Sequence, residues 1–289
     1  EHMNAGAFAA IKDDGSIATW GYPEYGGDSS SVSHLLNGNI KIIQIYSSAQ
    51  AFAALREDGS VITWGAGVSG GDSSTVSGAL NSNPIPQLNS GIKTISVYST
   101  FGAFAALRED GSVITWGIAD GGGDSGSVAN QLNGSIKVIS IYSSGSAFAA
   151  LREDGSVITW GTTSLNDGTN ILVSNQLDGS IKVTKIVSTD NNSFLALRED
   201  GSVVSWGKAS YGGNSSAVAN QLDGTKKVTD IFATNGSFAA LREDGNVISW
   251  GMYIGNNNPI NNGSIQKIYT SQSAFAALLG NGSVIAWGD

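Results

Sequence analysis

The hydrophobic pattern is dominated by one stretch, Phe-Ala-Ala-Leu-Arg-Glu-Asp-Gly-Ser-Val-Ile-Thr-Trp-Gly at 52–65, in which two apolar runs flank an Asp-Gly pair. Such a pair predicts a β-hairpin with a two-residue type I′ turn. That turn would place Glu57 opposite Ser60 and Ala53 opposite Trp64. Both strand faces are apolar, as is typical of a sheet covered on both sides. Seven close copies occur, at 8–21, 52–65, 104–117, 148–161, 194–207, 238–251 and 275–288.

The copies recur about every 44 residues, which is the length of one propeller blade. A third strand of alternating apolar and polar residues precedes six of the hairpins, at 40–46, 92–98, 136–142, 181–187, 226–232 and 265–269. The prediction is an all-β, seven-bladed β-propeller in which one blade is incomplete. Residues 1–5 are interpreted as a tag remnant and linker, and residues 6–289 as a single propeller domain.

A linker of the type Gly-Gly-Asp-Ser-Ser-x-Val-x-x-x-Leu, as at 26–36, separates each hairpin from the next third strand in several repeats. Its apolar spacing fits a short helical turn or an irregular fourth strand equally well. Residues 81–90 form an insertion whose two prolines predict a loop. Following the strand directions, the loop before each hairpin and the loop after each Trp-Gly lie at the same end of the blade. The Asp-Gly turns lie at the other end.

Composition excludes several classes of function. Acidic residues outnumber basic ones by 24 to 15, giving a net charge of −9 that repels nucleic acid. There is no Cys, so disulfides, thiolate metal sites and cysteine nucleophiles are excluded. No apolar run is long enough to insert in a membrane, and no motif indicates a cofactor. An extracellular or cell-surface location is slightly favoured over a cytoplasmic one, and the oligomeric state is left open.

The pattern Ala-Leu-x-x-Asp-Gly-Ser-Val-x-x-Trp-Gly, preceded by Ile-Lys-x-Ile and followed by Gly-Gly-Asp-Ser, resembles the regulator of chromosome condensation repeat family. It is most similar to bacterial versions of the repeat, and its layout is similar to that of propeller-shaped β-lactamase inhibitor proteins. The resemblance covers nearly the whole chain and implies a seven-bladed propeller. The family's chromosome-associated member acts on a small GTPase and on chromatin. Here the acidic charge and the absence of a basic arm argue against that role.

The repeated polar residues are interpreted as scaffold. Arg-Glu-Asp recurs in five of the seven copies, which indicates solvated turn chemistry and not catalysis. The single carboxylate of each Gly-Gly-Asp-Ser loop, such as Asp28 or Asp72, is too few for calcium and indicates an Asx-type turn. The repeated Trp is expected to pack between blades and not to stack on sugars. His34 is interpreted as an ordinary surface or packing residue.

Residues that differ between copies are the better candidates for binding, because scaffold positions repeat whereas a binding surface need not. The sequence therefore predicts a non-enzymatic module of a larger bacterial protein, which binds another protein through its loop face. Alternatives are a lectin-like propeller that binds glycans, and a purely structural spacer. The candidate residues on this face are Tyr22, Glu24, Tyr25, Gln50, Phe101, Asp120, Asp190, Asn191, Tyr211 and Tyr253.

Overall fold

The computed structural model describes residues 2–77, 79–80, 91–162, 173–252, 254 and 265–289. These residues form seven three-stranded antiparallel sheets, each a meander of consecutive strands, which is the all-β architecture of a seven-bladed β-propeller. The insertion at 81–90 lies outside the described residues. No helix in the described part of the chain is long and apolar enough to cross a bilayer.

The chain divides into two compact units, Glu1–Glu153 with Ile158–Thr162, and Asp154–Val157 with Thr163–Asp289. The single domain expected at 6–289 thus stays a prediction. The first unit carries four sheets, formed by β1 (His2–Met3), β2 (Ala7–Ile11), β3 (Ile17–Gly21), β4 (Ile42–Ser47), β5 (Ala51–Arg56), β6 (Val61–Gly65), β7 (Thr94–Ser99), β8 (Ala103–Arg108), β9 (Val113–Gly117), β10 (Val138–Ser143), β11 (Ala147–Arg152) and β12 (Val157–Gly161).

The second unit carries three sheets and also contributes the turn that leads into β12. Its strands are β13 (Val183–Ser188), β14 (Ser193–Arg198), β15 (Val203–Gly207), β16 (Val228–Ala233), β17 (Ser237–Arg242), β18 (Val247–Gly251), β19 (Ile265–Thr270), β20 (Ala274–Leu279) and β21 (Val284–Gly288). All six predicted third strands are present, although most begin two residues later than expected.

The first sheet has a third strand where an incomplete blade was expected. His2 pairs with Ala9 and Met3 pairs with Phe8, so β1 is a strand of two residues. His2 and Met3, which were set aside from the fold, therefore take part in strand pairing, while their interpretation as a tag remnant stays a prediction. Backbone pairing needs only N–H and C=O groups in extended conformation, which any sequence except proline can offer.

The predicted hairpin turn was wrong by one residue. The Gly59 amide donates to the Arg56 carbonyl, and the Arg56 amide donates to the Ser60 carbonyl, both at 2.9 Å. The loop therefore has three residues, with only Gly59 at positive φ (+84°), as in a turn closed by a glycine bulge. Asp58 keeps a negative φ because its Oδ1 accepts hydrogen bonds from the Ser60 amide (2.9 Å) and Ser60 Oγ (2.6 Å).

The corrected turn also shifts the strand register. Ala53 lies opposite Thr63, and Phe52 lies opposite Trp64, where Ala53 had been expected opposite Trp64. The Phe52 and Trp64 rings stack with centroids 5.3 Å apart. Equivalent Phe–Trp pairs occur in all seven sheets. The expectation that the small Ala53 faces the large Trp64 was therefore wrong.

Within each unit, successive sheets pack through two different faces. The face with the Phe–Trp pair, here called the Trp face, carries Phe52, Ala54, Ile62 and Trp64 in the second sheet. The opposite face, here called the Ala face, is built from smaller side chains. The Ala face of one sheet packs against the Trp face of the next, so that large side chains fill the space above small ones. In the second sheet the Ala face carries Ala51, Ala53, Leu55 and Val61, which pack with the third sheet. Thr63 lies on the same face, and its hydroxyl donates to Ser73 Oγ at 2.9 Å.

The linkers between sheets contain helical turns and no fourth strand among the residues that the structure describes. Four of the linkers form 3-10 helices, at Pro23–Tyr25, Ser30–Leu35, Gly67–Ser69, Ser74–Val76, Ala119–Gly121, Gly126–Gln131, Ala209–Tyr211 and Ser216–Gln221. In the linker before β13, the described residues 173–174 are also helical. The linkers also join neighbouring sheets, because the Trp64 indole donates to the Gly26 carbonyl at 3.0 Å. Trp116, Trp160 and Trp250 make the same bond to Gly70, Gly122 and Gly212.

Candidate functional site

Two kinds of loop meet at one end of each sheet, and together they are here called the loop face. In the second sheet, the Ala66 amide donates to the Gln50 carbonyl at 2.9 Å, and Ser48 Oγ donates to the Ser69 carbonyl at 2.8 Å. The loop before the hairpin and the loop after Trp-Gly are thus fastened to each other. The surface they form has a rigid base, which reduces the entropy lost on binding.

Main-chain hydrogen bonds also join the loops of successive sheets within the first unit. The Ala5 amide donates to the Ala49 carbonyl (3.0 Å), the Ala49 amide to Phe101 (2.9 Å), and the Phe101 amide to Gly145 (2.9 Å). In the second unit the Asn235 amide donates to the Gln272 carbonyl at 2.9 Å. Sequence reasoning missed this row, because main-chain bonds between repeats leave no side-chain signal.

Two of the candidate aromatics in the first unit are largely exposed, Tyr22 at 66% and Phe101 at 64%. Two aliphatic residues of the same loops, which sequence reasoning did not single out, are also exposed: Val68 at 73% and Ile118 at 42%. Both follow a Trp-Gly pair at positions where the copies differ, so comparing the copies could have found them. Tyr25 is only half-buried and packs on the core of the second sheet.

The polar candidates of the first unit differ in how exposed their side chains are and in whether they are hydrogen-bonded within the loops. Glu24 and Asp120 are exposed. The main-chain carbonyl of Asp120 accepts hydrogen bonds from the Thr162 amide (3.0 Å) and Thr162 Oγ1 (2.5 Å), so its backbone is fixed while its carboxylate faces solvent. Gln50 is half-buried, and its Oε1 accepts from Ser69 Oγ at 3.3 Å. Its side chain therefore supports the loop.

In the second unit, Asp190 is exposed whereas Asn191 is half-buried and donates from Nδ2 to the Asn235 carbonyl at 2.8 Å. Tyr211 is half-buried, and the Lys208 ammonium lies 4.5 Å from the centroid of its ring. Asn191 thus joins two loops, and Tyr211 is held by a cation–π contact. Tyr253 lies outside the described residues.

The Arg-Glu-Asp triplets lie at the opposite end, in the hairpin turns. Arg56 is buried, with 8% exposed, and its Nε donates to Ser60 Oγ at 2.5 Å. The expectation of a solvated arginine was therefore wrong for Arg56. Its side chain is buried, and its guanidinium is hydrogen-bonded to Ser60 within the turn. Burial alone would raise the pKa of Asp58, but the two hydrogen bonds from Ser60 and the nearby Arg56 charge outweigh it and lower that pKa. The arrangement stabilises a turn and offers no proton near neutral pH.

The Gly-Gly-Asp-Ser loops form Asx turns. Asp28 Oδ1 accepts from the Ser30 amide at 2.8 Å, and Asp72 Oδ1 does the same with Ser74. These hydrogen bonds lower the pKa of both carboxyls. Among the described residues, no group of three or more His, Cys, Asp or Glu side chains is placed to hold a metal ion.

A cleft of about 420 Å³ lies beside this loop in the first unit. Polar residues such as Ser31, Asp72 and Ser74 line it, and so do Trp64 and the apolar residues Val32, Leu35 and Ile62. Trp64 is only 3% exposed, so its ring face is not open for a ligand to stack on. The cleft can therefore offer hydrogen bonds but no aromatic platform.

No protein-family model and no curated protein matches the sequence. Among solved structures, the CRINKLY WD40 ectodomain of the Arabidopsis thaliana receptor kinase ACR4 is 14% identical with a TM-score of 0.45, and the match covers 99% of this chain and 94% of that one. Yeast RCC1 (Prp20) bound to Kap60 is 20% identical with a TM-score of 0.47, covering 86% of this chain and 70% of that one. Because these identities and TM-scores are low, the fold assignment depends on the seven three-stranded sheets and on the sequence repeats.

Proposed function

We propose that the chain is a non-enzymatic binding module that holds a protein partner on the loop face of its first unit. The observation that carries the proposal is the exposure of Tyr22, Val68, Phe101 and Ile118 on loops that are otherwise fastened by hydrogen bonds. Exposed aromatic and aliphatic side chains on a rigid base are typical of the centre of a protein interface. The bacterial and cell-surface setting expected from the sequence belongs to the same proposal.

The charges around these side chains define the partner further. Glu24 and Asp120 are exposed on the same loops, and the chain as a whole has a net charge of −9. Acidic groups at the rim favour a partner surface with basic residues around an apolar centre, and they raise the association rate at low salt. We therefore expect the affinity to fall with ionic strength mainly through a slower association.

The test uses a photo-reactive amino acid at position 101, with the same amino acid at position 41 as the control. Lys41 is exposed and lies beside the hairpin turns, at the opposite end of the sheets. We expect a specific protein to be cross-linked from position 101 and not from position 41. Equal cross-linking from both positions would contradict the proposed surface.

The captured protein is then purified, and its Kd is measured against matched variants. Phe101→Ser should weaken binding by about 2 kcal/mol or more, which is on the order of 30-fold in Kd. Ile139→Ser is the control, because Ile139 is 57% exposed but lies on β10, away from the loops. An unchanged Kd for Phe101→Ser, or an equal loss for the control, would contradict the assignment.

Carbohydrate binding is a second candidate, favoured by the Ser and Asp side chains among the residues that line the cleft. Ser31 lines the cleft, whereas Ser33 is exposed on the same 3-10 helix and does not. Ser31→Trp should therefore abolish binding to any glycan that an array detects, while Ser33→Trp should leave it intact. An array without a binder, or equal effects of the two substitutions, would contradict a sugar site in this cleft.

A further inference from the structure

The first linker carries two aromatic rings and a carboxylate on one short turn. Tyr22 precedes the 3-10 helix Pro23–Tyr25, and Glu24 lies between the two tyrosines in the chain. Residues three apart lie on the same side of a 3-10 helix, so the two rings meet. Their centroids are 5.9 Å apart, and their planes are inclined by 62°. The turn therefore presents a corner of two aromatic rings and, beside it, the exposed side chain of Glu24.

Hydrogen bonds hold this turn in place. The Tyr22 amide donates to the Gly6 carbonyl at 2.8 Å, and the Tyr25 amide donates to the Tyr22 carbonyl at 3.1 Å. The side chain of Asn4, which is buried, donates from Nδ2 to the Tyr25 carbonyl at 2.7 Å. The corner is thus formed before a ligand binds, which reduces the entropy lost on binding.

Both rings lie over Gly6. A Cβ at this position would overlap the Tyr22 ring and would lie 2.9 Å from Tyr25 Cδ2. Gly6 does not have a positive φ, so the two rings, and not the backbone conformation, require glycine here. Gln50 has the equivalent position in the second sheet, where the residue in the place of Tyr22 is the small Ala66. The first repeat therefore has room for aromatic rings that the second repeat lacks.

Tyr22 supplies the open surface of this corner. It is 66% exposed, whereas Tyr25 is half-buried and packs on the core of the second sheet. Tyr25 therefore orients the neighbouring ring, and Tyr22 keeps ring surface in contact with solvent. The face of an aromatic ring carries partial negative charge and attracts cations. Glu24 adds a full negative charge on the same turn, so the corner favours a cation over a neutral ligand.

The fifth repeat uses the same turn to hold a cation. Lys208 occupies the position of Tyr22 there, and Tyr211 occupies that of Tyr25. The Lys208 ammonium lies 4.5 Å from the centroid of the Tyr211 ring. Among the described residues, no lysine or arginine makes such a contact with Tyr22 or Tyr25. The turn of the first repeat thus has the rings for a cation–π contact, and a cation that binds them comes from another molecule.

We propose that Tyr22, Glu24 and Tyr25 form a binding site for an alkylammonium group, the chemistry that a lysine side chain shares with a free quaternary amine. The ammonium lies against the Tyr22 ring, and the Glu24 carboxylate compensates its charge. The site adjoins the surface proposed for a protein partner, but it does not depend on that partner, because a small amine can occupy it alone. Binding of a small amine therefore tests this site without the partner.

The first experiment is a titration with choline at constant ionic strength, followed by nuclear magnetic resonance of isotope-labelled tyrosine rings. We expect saturable shifts of the Tyr22 and Tyr25 signals, with a Kd in the millimolar range because the ligand is small. The control ligand is the neutral analogue of choline in which carbon replaces nitrogen. Absence of saturable shifts, or equal affinity for the neutral analogue, would overturn the proposal.

A parallel titration with Nα-acetyl-lysine amide distinguishes the two sources of the ammonium group. Tighter binding of choline would assign the site to a free quaternary amine, whereas tighter binding of the lysine derivative would assign it to a side chain of a protein partner. Binding of neither compound would overturn the proposal.

Two substitutions separate the contribution of the ring from that of the charge. Tyr22→Leu keeps an apolar side chain but removes the ring, and it should weaken choline binding by about 2-fold to 5-fold. Glu24→Gln removes the charge and should weaken binding by about twofold or more. Glu57→Gln is the matched control for Glu24→Gln, because Glu57 is exposed in a hairpin turn at the opposite end of the sheets. Unchanged affinity in Tyr22→Leu, or equal affinities of the two glutamine variants, would overturn the proposal.

The fifth repeat provides a second control within the same molecule. Lys208 covers the Tyr211 ring in the wild-type chain, so choline should not shift the Tyr211 signal. Lys208→Ala uncovers this ring and keeps the main-chain hydrogen bonds at this position, so the Tyr211 signal should then respond. A Tyr211 signal that responds equally in both proteins, or in neither, would overturn the proposed cation–π contact.

Discussion

Replacing Gly59 with Ala separates two reasons for glycine in the hairpin turn. Gly59 has a φ of +84°, and holding an alanine in this left-handed region costs about 1–2 kcal/mol. The added Cβ would also lie 2.5 Å from Lys93 Cβ and 2.9 Å from Lys93 Cα. Relieving that overlap requires the two sheets to shift, at a cost of roughly 1–3 kcal/mol. The free energy of unfolding should therefore fall by about 2–5 kcal/mol.

Gly282 is the matched control, because its φ is also +84° and no described atom lies within 4 Å of the Cβ position. Gly282→Ala should lower the free energy of unfolding by only about 1–2 kcal/mol, since it has the backbone cost alone. The assay is urea unfolding followed by tryptophan fluorescence and far-ultraviolet circular dichroism. Hydrogen exchange at the Thr94 amide, which donates to the Gly59 carbonyl at 3.0 Å, reports the local effect.

The difference between the two variants measures the contact between neighbouring sheets. Equal losses of stability in Gly59→Ala and Gly282→Ala would refute the reasoning, because they would assign the whole cost to the backbone conformation. Unchanged exchange at Thr94 in Gly59→Ala would refute it independently, since a shifted sheet must weaken that hydrogen bond.

Two further substitutions test the packing and the turns. Trp64→Phe removes the donor to the buried Gly26 carbonyl and should lower the free energy of unfolding by about 1–3 kcal/mol. The control Trp20→Phe, at an exposed site, should lower it by less than about 0.5 kcal/mol. Equal losses of stability for the two variants in urea unfolding would contradict this prediction. The pKa of Asp58 is lowered in the folded chain, so its contribution to stability is present at neutral pH and is lost as pH falls through and below about 4. Asp58→Asn should keep the turn, because Asn281 makes the same hydrogen bonds in the last sheet. The variant should lose less stability than the wild type between neutral and acid pH. An equal loss in both proteins would show that the Asp58 carboxylate does not contribute to the pH dependence.

The hairpin repeats could be predicted from the sequence because their signals are local. Two apolar runs, the Asp-Gly pair between them and a closing Trp-Gly recur within fourteen residues, and these specify strands and a turn with little help from the rest of the chain. The type of turn could not be predicted, because Asp-Gly is compatible with two-residue and three-residue loops. The hydrogen bonds from Ser60 to Asp58 favour the longer loop, and they shift the register by one residue.

The candidate site was predictable only in part. Variation between copies pointed to Tyr22 and Phe101, which are exposed on the loop face. The same criterion also selected Gln50 and Asn191, whose side chains bond to neighbouring loops. Variation alone cannot separate a residue that supports a loop from one that faces solvent, since both differ from copy to copy.

The sequence by itself determined the period, the strand order in each sheet and the apolar character of both sheet faces, because all three follow from residues close together in the chain. Only the tertiary structure decided which face meets which, since that depends on how the Phe–Trp pair of one sheet fills the space above the alanines of another. It also decided that β1 completes the first sheet, and that Trp64 is buried against the alanines of that sheet. Burial is a property of neighbours far apart in sequence, and a local pattern does not record which neighbours are present.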